Sequence, residues 1–271
     1  LYSTLISPVE QRGFLRGKRR LVIVPHAELH FVSFASLLAA KPGGKFLVET
    51  FDIEYAPSAT AWVRLASRPT IRRPTHILAM APNVDRLPAS RTEVESIGRL
   101  YGRSATVRVG RDASIESLRR DLPHASALHL ATFGVLNKRN PLFSFVKLAP
   151  SHDSDGRLAV NDVLALGLSG QTVILSACQT ALGWGANGDV PAGDDWIGLV
   201  QSFLQGGAKS VVATLWPVDD RATSMLMRQY HSNSAAGKGV SEALALSQRD
   251  AIRNKKTSSP FYWAAFVANG R

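Results

Sequence analysis

The chain of 271 residues has little cysteine, since Cys178 is the only one. A single cysteine excludes an internal disulfide and a multi-cysteine zinc site, and it favours a reducing, cytoplasmic compartment. No stretch approaches the roughly 18 apolar residues of a transmembrane span, so we expect no membrane segment. The seven histidines lack metal-ligand spacing, and we expect no cofactor. The N-terminus lacks Met and a signal-peptide layout, which predicts a fragment of a longer polypeptide.

Acidic residues are also scarce, and the formal net charge is +11. Basic residues cluster just before the first predicted strand, at Arg12, Arg16, Lys18, Arg19 and Arg20. This cluster is typical of a nucleic-acid or acidic-partner surface, or of a solvated edge beside an upstream region. Because no aromatic interleaving or RNA-binding motif accompanies it, we favour the solvated edge and disfavour nucleic acid.

The setting of Cys178 is the most informative feature that is present. An aliphatic run, Thr172–Ser176, reads as a buried strand that brings the thiol to its carboxyl end. Parallel α/β sheets place their chemistry at that edge. An upstream strand, Ala127–Thr132, ends in the same way, and a cysteine with a histidine about 50 residues earlier is the caspase-type arrangement. At the corresponding strand end, however, this chain has Phe133.

The pattern along the chain divides it into two parts. Residues 1–73, ending in an arginine- and proline-rich linker, predict a smaller N-terminal lobe with strands at 20–24 and 46–55. From residue 74 to 271 strands alternate with helices, which predicts a mostly parallel sheet with helices on both faces. Ser90 and Glu93 match a capping box at the start of a helix, and residues 262–268 read as a closing strand.

With these residues in place, the chain resembles the CHAT family, caspase-like domains that usually follow tetratricopeptide repeats. The resemblance covers nearly the whole chain, and six stretches carry it in the same order. They are Val22–Pro25, Tyr55–Ser58, Leu128–Thr132, Leu175–Thr180, Gly207–Asp220 and Pro260–Phe266. The resemblance implies a caspase-like α/β fold and a protein or peptide substrate or partner. It also implies an N-terminal repeat region in the same polypeptide.

The resemblance assigns roles to four residues and places one of them in doubt. Cys178 occupies the nucleophile position, and the backbone N–H groups of Cys178 and Gly134 would be the oxyanion donors. The family pattern is His-x-Ala-Thr-His-Gly, and its last histidine is the catalytic one. In this sequence the pattern runs from His129 to Gly134, with Phe133 in place of the catalytic histidine. His129 is a candidate substitute base, but four residues of strand place it about 13 Å away, which favours a hydrogen-bonded core residue.

Three further residues are candidates for substrate binding. In caspase-like peptidases the region of Asp219 and Asp220 helps to build the specificity pocket, so an acidic residue there would favour Arg or Lys before the cleaved bond. The alternative is that one of the pair simply caps the helix that starts at residue 221. Trp184, in a glycine-rich loop after Cys178, is either a contact residue or a loop anchor.

Two functional hypotheses follow. The chain is a pseudopeptidase, a peptide-binding or signalling module beside upstream repeats in bacterial signalling or defence. Alternatively, it is an active cysteine endopeptidase that uses Cys178 and a non-standard base. Because Phe133 cannot transfer a proton, the sequence favours the first.

Overall fold

A central sheet of eight strands organises the computed structural model, which describes residues 1–39, 43–67, 74–135, 141–177 and 194–271. A second sheet of three strands lies beside it. The strands are β1 (Arg20–Ile23), β2 (Asp52–Tyr55), β3 (Ile77–Ala81), β4 (Ala105–Val109), β5 (Ala127–Thr132), β6 (Gly134–Val135), β7 (Phe145–Lys147), β8 (Arg157–Ala159), β9 (Thr172–Ala177), β10 (Ser210–Thr214) and β11 (Phe266–Gly270).

The helices alternate with these strands. They are α1 (Tyr2–Leu5), α2 (Ser7–Gln11), α3 (Leu47–Thr50), α4 (Ala59–Ala66), α5 (Pro88–Tyr101), α6 (Ile115–Asp121), α7 (Val160–Leu164), α8 (Asp194–Gln205), α9 (Asp220–Ala235), α10 (Val240–Arg253) and α11 (Pro260–Trp263). Short 3₁₀ turns occur at Ala27–Phe31, Phe34–Ser36, Gly102–Ser104, Gly110–Asp112, Leu122–His124 and Pro141–Phe143. None of the described helices is both long and apolar enough to cross a membrane.

Neighbouring strands of the large sheet run parallel except at one junction, so β1, β2 and β11 run opposite to the other five strands. Its order is β1-β2-β11-β10-β9-β5-β3-β4, and β11 runs antiparallel to β10. The two strands that carry the sequence motifs, β5 and β9, are direct neighbours over six residue pairs. Their carboxyl ends therefore meet at one edge of the sheet, where parallel α/β folds place functional residues.

Side-chain alternation along the buried strands separates two helical layers. On β5, His129 and Ala131 face the layer of α5, α9 and α10, whereas Leu128 and Leu130 face α6, α7 and α8. The predicted sheet with helices on both faces is confirmed. Near the end of α8, Gly207 has φ +110°, and a Cβ there would collide with the carbonyl of Leu168, so this turn requires glycine.

The N-terminal residues extend the same sheet. Strands β1 and β2 pair in parallel, and β2 continues onto β11. Phe34 and Tyr55 share a buried apolar cluster with Trp263 and Phe266 from the C-terminal part. A boundary at residue 73 stays a prediction, since residues 68–73 lie outside the described part of the chain.

Two strand predictions were wrong in their extent. Residues 46–55 form a turn of helix, α3, before the short strand β2, because Glu49 accepts a hydrogen bond from the Phe46 N–H at 2.8 Å and caps a helical turn. The closing segment similarly begins with α11, where Pro260 fixes a helical start, and only Phe266–Gly270 is strand. In both places the alternation of apolar residues resembled a strand although part of it is helical.

Candidate active site

The ends of β5 and β9 lie side by side, with Thr132 opposite Ala177. Phe133 and Gly134 follow Thr132 directly, at the start of the small sheet. Cys178 is the residue after Ala177 in the sequence and lies outside the described residues, as does Trp184. The described part of the site is therefore the β5 end, the small sheet and the helix starts that surround them.

Phe133 fills its position with a buried aromatic ring. Only 8% of the residue is exposed, and it belongs to the same apolar cluster as Leu87, Val218 and Leu226. Its carbonyl accepts a hydrogen bond from the Lys147 N–H at 3.0 Å. The ring offers no proton donor or acceptor, and its surroundings are apolar, so this position supplies no acid–base group.

Gly134 has its N–H directed away from the small sheet. It lies opposite Val146, and the adjacent hydrogen bond from Lys147 N–H to Phe133 O makes this a non-hydrogen-bonded pair. In such a pair the N–H and C=O groups point away from the partner strand. The backbone of Gly134 is thus oriented outward from β7, an arrangement compatible with an anion or carbonyl acceptor.

Asn83 fastens the small sheet to the end of β5. Its side-chain amide donates to Thr132 Oγ1 at 2.7 Å and to the Lys147 carbonyl at 3.1 Å. The Thr132 hydroxyl donates to the same carbonyl at 2.5 Å. These three bonds fix the backbone on both sides of Phe133, because Thr132 precedes it and Lys147 pairs with it.

His129 lies in a buried chain of polar groups on the α5–α9 side of the sheet. Its Nε2 is 2.7 Å from Glu93 Oε1 of α5, and its Nδ1 is 3.0 Å from His231 Nε2 of α9. At the far end, Tyr101 Oη makes weaker contacts of 3.5 Å with His231 Nδ1 and 3.4 Å with the His231 carbonyl. All three linked side chains, those of Glu93, His129 and His231, are almost fully buried.

Burial controls the protonation of this chain. It raises the pKa of Glu93 to about 8. The nearby Ser176 hydroxyl partly opposes this increase, although its geometry does not meet that of a hydrogen bond. Burial also lowers the pKa of His129 to about 3. Burial and the neighbouring His129 hold the pKa of His231 well below its usual range. At neutral pH the group is therefore uncharged.

The hydrogen bonds that link Glu93, His129 and His231 can run in two directions. When Glu93 is protonated, it donates to His129 Nε2, and His129 Nδ1–H donates to His231 Nε2. When Glu93 is ionised, it accepts from His129 Nε2–H, and His231 Nε2–H donates to His129 Nδ1. The first arrangement holds one more proton, and burial favours it because no charge results. His129 is therefore a hydrogen-bonded core residue, as the sequence favoured, held between Glu93 and His231.

The two aspartates at the start of α9 serve different helices. Asp219 is the N-cap of α9, and its Oδ1 accepts from the Ala222 N–H at 2.8 Å. Asp220 Oδ2 accepts from the Ala89 N–H at 2.8 Å. It therefore caps the start of α5, where the N-cap residue Leu87 makes no side-chain capping bond. Burial raises the pKa of Asp220. Both carboxylates thus have helix-capping bonds, which account for them without a substrate.

One sequence prediction about these residues was wrong, and two of the residues, His231 and Asn83, were not predicted. The capping box at Ser90 and Glu93 was wrong, because α5 starts at Pro88 and both residues lie inside it and are buried. Glu93 lies one helical turn from Ile97, a spacing that could have shown it faces the core. His231 and Asn83 offered weaker signals: the first lies just beyond the helix that the sequence pattern predicts over residues 222–230, and the second follows the carboxyl end of β3.

The described residues hold no group of three His, Cys, Asp or Glu that could bind a metal ion.

The parallel sheet, the adjoining ends of β5 and β9, and the small sheet after Phe133 define a caspase-like peptidase fold. A family model described as "CHAT domain" matches residues 1–271, and the chain belongs to this family.

Similarities to individual proteins agree with this assignment. Tetratricopeptide repeat protein 28 is 27% identical to this chain over 329 residues in Mus musculus and over 331 residues in Homo sapiens. Each match covers 100% of this chain but only 13% of the relative, so the chain spans about an eighth of those proteins. Protein regions outside this chain make up the rest of each relative.

Two crystal structures of the Saccharomyces cerevisiae separase–securin complex show a similar fold. Their TM-scores are 0.60 and 0.61, with sequence identities of 17% and 16%. Each alignment covers 93% of this chain, and 15% or 16% of the other chain. At this identity the likeness concerns the fold alone.

Proposed function

We propose that this domain is a pseudopeptidase, a peptide-binding or signalling module on a caspase-like peptidase fold. The observation that carries the proposal is the buried ring of Phe133 where the family pattern has its catalytic histidine. Loss of a general acid–base group typically costs about 10²–10⁴-fold in rate. A thiol without such a partner has a pKa of about 8.5, so only a few per cent of it is thiolate at neutral pH.

His129 does not supply the missing group in this proposal. Both of its ring nitrogens have partners in the core, Glu93 and His231, and none of its surface is exposed. To act as a base, His129 would have to break both hydrogen bonds. Two buried polar groups would then lack a partner, which costs about 1–3 kcal/mol for each. The family's nucleophile position at Cys178 is thereby left without a histidine from β5.

Protein partners fit the proposal better than other ligands. The curated relatives are tetratricopeptide repeat proteins, and the separase structures contain a bound protein, securin. We therefore infer that the module works beside a repeat region of its own polypeptide and binds a protein segment. The single cysteine favours the cytoplasm for this work. A bacterial signalling or defence role stays a prediction, since both curated relatives are mammalian.

The second candidate function is a cysteine endopeptidase that cleaves after basic residues. The outward direction of the Gly134 backbone favours it, because an oxyanion donor would need that orientation. The preference for Arg or Lys would come from Asp219 or Asp220. Their helix-capping bonds weaken this part of the hypothesis, since capping already explains both carboxylates.

A hydrolysis assay with three proteins separates the two functions. Wild type, Cys178→Ala and Phe133→His are incubated with unfolded proteins and short peptides that contain Arg and Lys. We expect wild type to cleave no faster than Cys178→Ala. Cleavage by Phe133→His that requires Cys178 would show that the remaining site is intact. Cleavage by wild type that disappears in Cys178→Ala would refute the pseudopeptidase function.

A further inference from the structure

The outer edge of the large sheet is formed by β1, at the opposite end from β4. Its pairing with β2 uses the backbone groups of Leu21 and Ile23 together with the carbonyl of Arg19, as the bond from Asp52 N–H to Arg19 O at 2.8 Å shows. In a parallel ladder the alternate residues direct their backbone groups to the other side. The N–H and C=O groups of Arg20 and Val22 therefore point away from the sheet.

This edge is accessible. Val22 is 36% exposed and Val24 is 48% exposed, although both are aliphatic residues of a strand or its end. Within the part of the chain that the structure describes, no group hydrogen-bonds to the outward backbone of Arg20 or Val22. An uncovered edge of this kind can accept a further strand by continuing the backbone hydrogen bonds.

The residues that lead into this strand give the edge a positive charge. Arg12, Arg16, Lys18 and Arg19 are all exposed, and none of them forms an ion pair with another described residue. Arg20 lies 3.8 Å from Glu54 and is 42% exposed at its side chain. Five cations within nine positions thus adjoin an open strand edge, and among the described carboxylates Glu54 pairs with one of them, Arg20.

We propose that the β1 edge binds an extended acidic segment of a partner protein, which adds a strand to the sheet. The open backbone supplies hydrogen bonds to a peptide, and the cations select acidic side chains on it. A second copy of this chain fits poorly, because the same cations would meet across the interface. Nucleic acid could satisfy the charge but has no peptide backbone to pair with Val22. In the sheet order this edge lies four strands from β9.

Binding of a fluorescent synthetic peptide with alternating Glu and Val tests the proposal. Its controls are the same peptide with N-methylated backbone amides at alternate positions, and a single-stranded RNA. We expect the unmodified peptide to bind more tightly than either control, with an affinity that falls as salt concentration rises. Hydrogen exchange should show that the amides of Arg20 and Val22 become protected in the complex.

Two pairs of variants separate backbone pairing from charge. Val22→Pro removes the outward N–H, whereas Val22→Ala keeps it, so we expect about fivefold weaker binding for the first and a change within about twofold for the second. Arg19→Glu should weaken binding, while Arg228→Glu, an exposed cation on α9, should not. Where Val22→Pro fails to fold, the N-methylated peptide and amide protection in wild type decide.

The proposal is overturned if the N-methylated peptide binds as well as the unmodified one, or if folded Val22→Pro binds normally. It is also overturned if RNA binds more tightly than the acidic peptide, which would assign the cations to nucleic acid. Absence of peptide binding at low salt would leave β1 as a solvated edge that its cations protect from aggregation.

Discussion

Replacing Glu93 by Gln should change how the stability of this protein depends on pH. In the folded protein burial raises the pKa of Glu93 to about 8, whereas its ordinary value is 4.5. Between these values the folded state keeps a proton that the unfolded state has released. The free energy of unfolding therefore decreases as pH rises through this window.

The comparison with Glu93→Gln isolates this effect between pH 6.5 and 8. Unfolded His129 and His231 are about half protonated at pH 6.5, their ordinary pKa, whereas burial keeps them neutral in the folded state. Their titration raises stability with pH in both proteins alike, so the difference between the two proteins reports the Glu93 proton. At about 1.36 kcal/mol per pH unit, wild type should lose roughly 2 kcal/mol across this interval relative to Glu93→Gln. For 271 residues this corresponds to roughly 4 °C in Tm.

Glu93→Gln keeps an amide that can donate to His129 Nε2 but carries no titratable proton. Urea unfolding at several pH values from 6.5 to 8 measures the difference. We expect the variant to lose about 2 kcal/mol less than wild type. Glu95→Gln, on the exposed side of the same helix, should follow wild type. Parallel curves for wild type and Glu93→Gln would show instead that Glu93 is already ionised in the folded protein.

Three further predictions concern the surroundings of the site. Asn83→Ala should lower the free energy of unfolding by about 1–3 kcal/mol, because Thr132 Oγ1 and the Lys147 carbonyl lose a donor; chemical denaturation checks this, and an unchanged midpoint would contradict it. Asp219→Ala should cost about 1 kcal/mol through loss of the α9 cap, and Asp219→Asn should restore most of it. Phe133→Ala should cost about 3–5 kcal/mol if its ring packs as a core residue; a loss below about 1 kcal/mol would show a loosely held ring.

Much of the fold is predictable because long apolar runs determine it. The runs at β3, β5, β9 and β10 are buried on both sides, and their spacing with the helices leaves few alternatives to a parallel sheet. Short segments were less predictable. At residues 46–55 and 260–266 a proline or a capping glutamate produces one helical turn inside a strand-like pattern, and local hydrogen bonds decide between the two.

The candidate site was predictable only where the chain order fixes it. Phe133 and Gly134 follow β5 and could be placed at the sheet edge from their sequence positions alone. The Glu93–His129–His231 chain could not, because it joins residues up to 138 positions apart through the packing of α5 and α9 on β5. Asp220 is similar, since it caps a helix 131 residues away in sequence.

The alkylation rate of Cys178 as a function of pH tests the central claim, that no group activates this thiol. The single cysteine makes the signal unambiguous, and intact mass confirms one adduct. For a pseudopeptidase we expect a midpoint near or above about 8.5, or no labelling of the folded protein. A midpoint well below that value would contradict it, because a nearby cation or helix start would then be stabilising the thiolate as a peptidase requires.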